Sequence, residues 1–345
     1  MNMKNKIFFY LIFALAILSF PVFAQDTEDK TNDFYDNTET VSLPFSAVEI
    51  AGEVGNPQKI DLTSLPLRSV IVKEAVLNGA KDTFVGAYRY DGYSLYDILN
   101  NTTVKKKLEA EFSSMIDVWV VVENDKGEKA VISWGEIYYP VHRHEIIIAT
   151  KVSRIVPTKT KDLWTLPVES KLVVASDLVT ERNISSPTKI TVRSFQKSYP
   201  VIKEMPYAYT PTIQIFKNDQ KIDSITKYPS SLFKQTYSTV FYGRGKGIHG
   251  INDFKGVMLK DVLKKYAEFN KKDIQKMIIA VIAKDGFRCV YTFSELFNRN
   301  DYAEVLLIDK SSDKKFGAFS LFPAQDYFSD RAVKAIKEIR IFSAE

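Results

Sequence analysis

The apolar positions of the chain fall into short runs separated by polar turns, a pattern typical of β-strands joined by hairpins. The clearest case lies in the second half, where Met277 to Ala283 and Arg288 to Tyr291 are apolar, β-rich runs on either side of Lys284-Asp285-Gly286-Phe287. An Asp-Gly pair between two such runs predicts a β-hairpin. The first half carries a looser form of this turn, Asn124-Asp125-Lys126-Gly127.

Each predicted hairpin is followed by a signal for the start of a short helix. Ser133 and Thr292 are each followed three residues later by a glutamate, Glu136 and Glu295. This spacing predicts a capping box, because the hydroxyl and the carboxylate can both accept hydrogen bonds from backbone amides at a helix N-terminus.

Two further patterns occur in both halves. Leu95 to Leu99 and Leu259 to Tyr266 have apolar residues at the spacing of an amphipathic helix, whereas Glu145 to Ala149 and Glu304 to Ile308 read as buried strands. Each half is therefore predicted to run strand, loop, helix, hairpin, short helix, strand, loop and final strand. The expected fold class is α+β, with a mostly β core and short helices.

The repeated order indicates an internal duplication, because three blocks align between the halves without gaps. In the first block Gly92-x-x-Leu95-x-Asp97-x-Leu99 matches Gly256-x-x-Leu259-x-Asp261-x-Leu263. In the second, Gly127, Lys129, Val131, Ser133, Trp134, Glu136, Ile137 and Glu145 match Gly286, Arg288, Val290, Thr292, Phe293, Glu295, Leu296 and Glu304. In the third, Leu172, Ala175, Asp177, Arg182, Ile190 and Ser194 match Leu321, Ala324, Asp326, Arg331, Ile339 and Ser343.

The N-terminus has the three-part pattern of an export signal. Lys4 and Lys6 precede an almost unbroken apolar run from Ile7 to Phe23, which ends just before Ala24. This pattern predicts a signal peptide over residues 1–24, cleaved to release a periplasmic or secreted protein. The alternative is an uncleaved membrane anchor. No second apolar run is long enough to span a bilayer, so no stable membrane insertion is expected after cleavage.

The remaining chain divides into a leader, two domains and a linker. Residues 25–47 are acidic and polar, which predicts a flexible leader. The two copies of the duplicated unit are expected at 48–195 and 211–345. They are joined by a linker at 196–210, which contains Pro200 and Pro206.

Composition narrows the range of functions. The chain has 345 residues, 45% of them hydrophobic, one cysteine, three histidines and a net charge of +5. A single cysteine excludes an internal disulfide, and so few histidines exclude a zinc-finger cluster. The mild positive charge, without a dense Lys/Arg stripe, favours an anionic small ligand or surface over nucleic acid.

The ordered set of motifs resembles the molybdopterin-binding domain of the sulfite oxidase superfamily, in particular its small exported members. The resemblance lies in Gly52-x-Val54-x-Asn56-Pro57, Phe254-Lys-Gly256-Val-x-Leu259-x-Asp261-Val-Leu263, Asp285-Gly286-x-Arg288-x-Val290-x-Thr292-x-x-Glu295-Leu296, Val305-Leu306-Leu307 and Arg331-x-Val333-x-x-Ile336-x-x-Ile339. It implies two tandem sulfite-oxidase-like domains, each with a pocket for a pterin cofactor.

One departure from that family bears on cofactor chemistry. Enzymes of the family hold molybdenum through a cysteine thiolate in the loop before the Gly-x-x-Leu-x-Asp helix, since a soft thiolate completes the metal's sulfur-rich shell. The corresponding segments here, Val76 to Tyr90 and Tyr242 to Asp253, contain no cysteine, and Cys289 falls on the hairpin. The resemblance then implies a pocket for a pterin or other heteroaromatic ligand without the metal.

The glycine-rich segment Gly243 to Gly250 is the first candidate binding site. It has four of the protein's fourteen glycines, together with Arg244, Lys246 and His249. Glycines let backbone amides approach a ligand closely, and Arg and Lys supply charge for a phosphate or carboxylate. The alternative is a mobile surface loop.

Further candidates come from the duplicated positions. Arg182 and Arg331 occupy equivalent places, where the resemblance puts basic residues towards the cofactor, and Arg288 is similar. Structural ion pairs, to Glu181 or Asp330, are the alternative. The remaining candidates are Arg89 and Tyr90, which precede Gly92, and Phe254, which precedes Gly256. A flat ring at these positions can stack on a planar ligand; packing in the core is the alternative.

These observations favour an exported, non-catalytic binding protein for a pterin-like or other anionic heteroaromatic ligand. One alternative is a molybdopterin-dependent oxidoreductase with a ligand other than cysteine. The other is an envelope interaction scaffold, binding a protein partner, in which both pockets have degenerated. His142 and His144 lie two apart, but two imidazoles without a third ligand make a poor metal site, so an exposed edge is preferred.

Overall fold

Strands dominate the structure, a computed structural model that describes residues 36–79, 81–157, 159–205, 208–243, 247–310 and 317–344. Strands make up 48% of the structure and helices 12%, in four small sheets arranged as a four-bladed β-propeller. The expected α+β fold with two tandem sulfite-oxidase-like domains is therefore wrong. The predicted signal peptide, residues 1–24, lies outside the described residues.

The first half of the chain forms two of the sheets. Its strands are β1 (Asp36–Asn37), β2 (Val41–Ser42), β3 (Val48–Gly52), β4 (Gln58–Ile60), β5 (Leu67–Asn78), β6 (Lys81–Ser94), β7 (Val118–Asn124), β8 (Lys129–Ser133), β9 (Ile146–Val156), β10 (Lys171–Val174) and β11 (Pro187–Ser194). Its helices are α1 (Leu95–Leu99) and α2 (Trp134–Tyr138), with 3₁₀ turns at Leu62–Ser64 and Met115–Asp117. One sheet has the order β1-β9-β6-β5, with β2 and β10 also on β9, and the other has the order β4-β3-β11-β7-β8.

The second half forms the other two sheets with the same connections. Its strands are β12 (Ile213–Lys217), β13 (Gln220–Ile225), β14 (Lys234–Gly243), β15 (Gly247–Met258), β16 (Met277–Ala283), β17 (Arg288–Thr292), β18 (Val305–Asp309), β19 (Phe319–Pro323) and β20 (Ile336–Ser343). Its helices are α3 (Leu259–Leu263), α4 (Lys271–Lys276) and α5 (Phe293–Phe297), with a 3₁₀ turn at Ser329–Arg331. The sheet orders are β13-β12-β20-β16-β17 and β14-β15-β18-β19. The pair β12–β20 is parallel, as is β3–β11 in the first half.

Two long hairpins account for much of the error in fold class. The segments 76–90 and 242–253, expected to be loops, belong largely to the hairpins β5–β6 and β14–β15. Exposed and more buried positions alternate along β14 and through most of β5, which is the period of two of a strand with one solvated face. The helices are only five or six residues long, too short to form a helical layer.

Most of the local predictions are confirmed. The hairpins β7–β8 and β16–β17 form at the predicted turns, and the short helices α2 and α5 follow them. Both capping boxes are present, Ser133 with Glu136 and Thr292 with Glu295. The helices α1 and α3 and the strands β9 and β18 also lie where the apolar pattern predicts them.

The close approach of neighbouring strands explains why a glycine occurs shortly before both α1 and α3. A Cβ atom on Gly92 would lie 2.1 Å from the carbonyl oxygen of Ile148, and one on Gly256 would lie 2.5 Å from that of Leu307. Any larger residue would therefore push β6 away from β9, or β15 away from β18. The first repeated block is thus partly a packing requirement.

The two halves share hydrophobic contacts. Trp119 and Val121 of β7 belong to one buried cluster with Ile278 and Ala280 of β16, against which Phe342 packs.

Within the described residues, no helix has the length and apolar character needed to cross a membrane.

The two connecting segments are also held in place where they are described. Strands β1 and β2, within the expected flexible leader, pair with β9, and Leu43 is buried. In the expected linker, the Tyr199 hydroxyl donates to Glu338 Oε2 over 2.6 Å and the Thr210 hydroxyl donates to the Ile336 carbonyl over 2.9 Å.

Candidate functional site

Arg331, a predicted ligand-binding residue, is a buried ion-pair residue. Its side chain is 0% exposed. Nε and Nη2 donate to the Asp326 carboxylate over 2.8 and 2.6 Å, and Nη1 donates to Glu295 Oε1 over 2.7 Å. Burial alone would lower the pKa of this guanidinium, but the carboxylates of Asp326 and Glu295 raise it well above its usual range. The side chain is therefore a permanent cation that is already neutralised.

Arg182 repeats this arrangement in the first half. Its guanidinium donates to both carboxylate oxygens of Asp177, over 2.8 and 2.6 Å, and to both of Glu136. The side chain is 0% exposed. The ion-pair partners of Arg182 and Arg331 are thus more distant residues than the neighbouring Glu181 and Asp330 considered as alternatives.

The two ion-pair groups are linked across the interface between the halves. The Ser133 hydroxyl, which caps α2, donates to Glu295 Oε2 over 2.6 Å. The Thr292 hydroxyl, which caps α5, donates to Glu136 Oε2 over 3.2 Å. Each capping hydroxyl therefore also donates to the capping glutamate of the other half. We call this group the crossed network; it consists of Ser133, Glu136, Asp177, Arg182, Thr292, Glu295, Asp326 and Arg331.

Arg288 also joins the two halves. Its side chain is 0% exposed, and it donates to Asp117 over 3.1 Å and to Glu111 over 2.9 Å, both in the first half. Lys106 donates to the same Asp117 over 2.5 Å. An arginine held between two carboxylates in this way contributes to the interface between the halves.

The other predicted residues that the structure describes do not meet at one place. Tyr90 is 0% exposed, and its hydroxyl donates to Glu74 Oε1 over 3.0 Å; burial raises its pKa. Arg89 donates to the hydroxyl of Thr40 over 2.6 Å. Arg244, Lys246 and the side chain of His249 lie outside the described residues, although the backbone of His249 is part of β15.

Phe254 lines a sizeable cavity, unlike the other described candidates. Its ring stacks on that of Phe322, with centroids 3.8 Å apart and planes 3° from parallel. On β14 the ring of Phe241 lies 5.6 Å from that of Phe254. We call these three side chains the aromatic row. They border a cavity of about 570 Å³ at the sheet β14-β15-β18-β19.

The walls of this cavity carry more positive than negative charge. Three lysines and two aspartates line it: Lys255, Lys310, Lys334, Asp253 and Asp309. Asp253 accepts a hydrogen bond of 2.5 Å from the Ser238 hydroxyl. The excess of lysine and the aromatic row together suit a planar ligand with a negative charge. Of these residues the sequence singled out only Phe254, because lysines and phenylalanines on separate strands share no local motif.

The equivalent region of the first half is filled. Tyr90, two residues before Gly92, corresponds to Phe254, two residues before Gly256. It lies in a buried cluster with Tyr88, against which Trp164 and Leu166 pack. The Tyr88 hydroxyl donates to the backbone carbonyl of Thr165 over 2.7 Å, which holds this covering segment in place. The first half therefore covers with its own side chains the position that the second half leaves facing a cavity.

The residues present do not fit a molybdenum cofactor held by a thiolate. Cys289 is 0% exposed, and burial raises the pKa of its thiol to about 12, so it is protonated at neutral pH. No described set of three or more His, Cys, Asp or Glu side chains is arranged to hold a metal ion. Beside His142 and His144 there is a cavity of only about 20 Å³, and His144 Nδ1 lies 3.0 Å from the Ser94 hydroxyl.

No protein-family model matches the chain, and no curated protein is detectably similar to it in sequence.

Proposed function

We propose that the protein is an exported, non-catalytic binding protein for a planar anionic small molecule, a pterin-like heteroaromatic compound being the type case. The ligand lies in the second-half cavity, against the aromatic row and beside the lysines. The observation that carries the proposal is the difference between the halves. Tyr90 is 0% exposed, in a cluster against which Trp164 and Leu166 pack, whereas Phe254 is only half-buried and borders the cavity.

The aromatic row supports a flat ligand for a geometric reason. Phe254 and Phe322 are nearly parallel, and Phe241 extends the row on the neighbouring strand. Aromatic contacts of this kind contribute about 0.5–1.5 kcal/mol each beyond the area they bury. A cavity of about 570 Å³ also falls within the usual range for small-molecule sites.

The lysines favour a negative charge on the ligand. Lys255, Lys310 and Lys334 are all exposed and border the cavity. Exposed charges steer an anion and fix its orientation more than they add affinity. We therefore expect the aromatic contacts to set most of the affinity, and the charge to set the salt dependence.

The proposal is tested by fluorescence titration of the protein with pterin-6-carboxylate. Phe254→Ala should weaken binding at least tenfold, because it removes the central ring of the row. Phe233→Ala is the matched control, since Phe233 lies in the same half, is 71% exposed and lines none of the cavities described. Absence of saturable binding, or equal affinity of the two variants, would refute the proposal.

A further inference from the structure

A second, larger cavity lies between the two halves, where β11 approaches β20. Its volume is about 690 Å³, and none of the predicted residues whose side chains are described lines it. Its apolar walls include Trp119, Phe195 and Phe342. The ring of Phe342 lies 6.0 Å from that of Trp119 and 5.8 Å from that of Phe195. Because both halves contribute to the walls, the cavity exists only when they are packed together.

Trp119 carries a hydrogen-bond donor that none of the described residues satisfies. The residue is 4% exposed, and its indole Nε1–H has no acceptor among the described residues. Buried polar groups in folded proteins are nearly always paired, and an unpaired one calls for an explanation. Trp119 is part of the cavity wall, so this unsatisfied donor lies close to the space that a bound molecule would occupy.

Two cations at this cavity have no carboxylate partner in the part of the chain that the structure describes. Arg193, directly opposite Trp119 on the neighbouring strand, and Lys107 make no ion pair with any residue in the described ranges. Two other cations of the wall, Lys197 and Arg340, are both paired with Asp219, over 3.0 and 2.8 Å. Arg193 and Lys107 are therefore the charges left to meet an anion.

The one remaining acid of the wall is already satisfied by neutral donors. Glu53 accepts from the Ser194 hydroxyl over 2.6 Å, from the Gln196 side chain over 2.8 Å and from the Lys107 backbone amide over 2.9 Å. With these hydrogen bonds in place, its carboxylate does not compete strongly for the guanidinium of Arg193.

We infer that this interface cavity is a second binding site, for a small anion with an aromatic or other apolar body. The anionic group pairs with Arg193 and Lys107, beside the Trp119 side chain. The apolar body lies against Phe195 and Phe342. The inference does not depend on the second-half cavity, because the two cavities have no lining residue in common.

The test uses 1-anilinonaphthalene-8-sulfonate as the probe, because it joins one sulfonate to an apolar aromatic body. In ¹⁵N-labelled protein the indole resonance of Trp119, identified as the one lost in Trp119→Phe, should shift saturably on titration. Arg193→Gln should raise the apparent Kd at least fivefold. Arg143→Gln, an exposed arginine that does not line this cavity, should leave it unchanged.

The variant Phe254→Ala distinguishes binding at this cavity from binding at the second-half cavity. The shift of the Trp119 resonance should persist in this variant, since the inferred site lies elsewhere. If the Trp119 resonance does not move, if Arg193→Gln binds like wild type, or if Phe254→Ala abolishes the shift, the inference is wrong.

Discussion

Removing the guanidinium of Arg331 should destabilise the protein severely. Arg331→Leu leaves the side chains of Asp326 and Glu295, both 0% exposed, without their cation. Breaking a buried ion pair by removing one partner costs about 3–5 kcal/mol, because an uncompensated charge remains in the interior. That is a large part of the total stability of an ordinary domain, about 5–15 kcal/mol. The free energy of unfolding, measured by urea titration followed by circular dichroism, reports the loss.

The same variant should show a characteristic pH dependence. Burial already raises the pKa of Glu295 and of Asp326, and the loss of Arg331 removes the attraction that opposes it. The folded variant then binds more protons than its unfolded chain at mildly acidic pH, so its stability rises as the pH falls. The deficit relative to wild type should be smaller at about pH 5 than at about pH 8.

Two further variants make this test specific. Adding Glu295→Gln to Arg331→Leu should recover part of the loss, since one buried charge is removed while a capping amide remains. Arg143→Leu, at an exposed arginine, should change stability by no more than about 0.5 kcal/mol. A deficit below about 1 kcal/mol for Arg331→Leu, or one independent of pH, would refute the buried charge network.

Three other predictions follow from single positions. The thiol of Cys289, buried and with a pKa raised to about 12, should not react with dithionitrobenzoate in the native protein and should react fully in guanidinium; rapid native labelling would contradict its burial. Gly135→Ala should cost about 1–3 kcal/mol in urea unfolding, since its Cβ would lie 2.4 Å from the guanidinium carbon of Arg331; a neutral result would mean that this contact relaxes freely. A hydrogen bond from Lys265 lowers the pKa of Asp223 below 3.8, so the stability that the Asp223 carboxylate contributes is present at neutral pH and is lost in strong acid, as the pH falls through this lowered pKa. Asp223→Asn should therefore make the free energy of unfolding depend less on pH in acid, and an unchanged dependence would contradict this.

The sequence predicted local elements better than their assembly. Turn residues and capping spacing act over a few positions, so Asp285-Gly286 and the Ser133 and Thr292 caps were readable directly. The long hairpins were not recognised, because the resemblance to a known family assigned 76–90 and 242–253 to loops.

The crossed network could have been identified from the duplication itself. Glu136, Asp177 and Arg182 each match the same kind of residue in the second half, and three such charges retained in both copies indicate a shared structural role. The sequence did not reveal that each capping hydroxyl contacts the other half, because that depends on how the halves pack. For the same reason it could not show which half has an open cavity, since Trp164, 74 positions after Tyr90, packs against the cluster that contains Tyr90.

A crystal structure of the protein grown with pterin-6-carboxylate would show where the ligand binds. We expect a planar ligand in the second-half cavity, against the aromatic row that includes Phe254 and with its carboxylate towards the lysines. In the first half, Trp164 should still pack against the cluster that contains Tyr90. A ligand bound elsewhere, or an empty second-half cavity in crystals grown at a saturating ligand concentration, would contradict the proposed function.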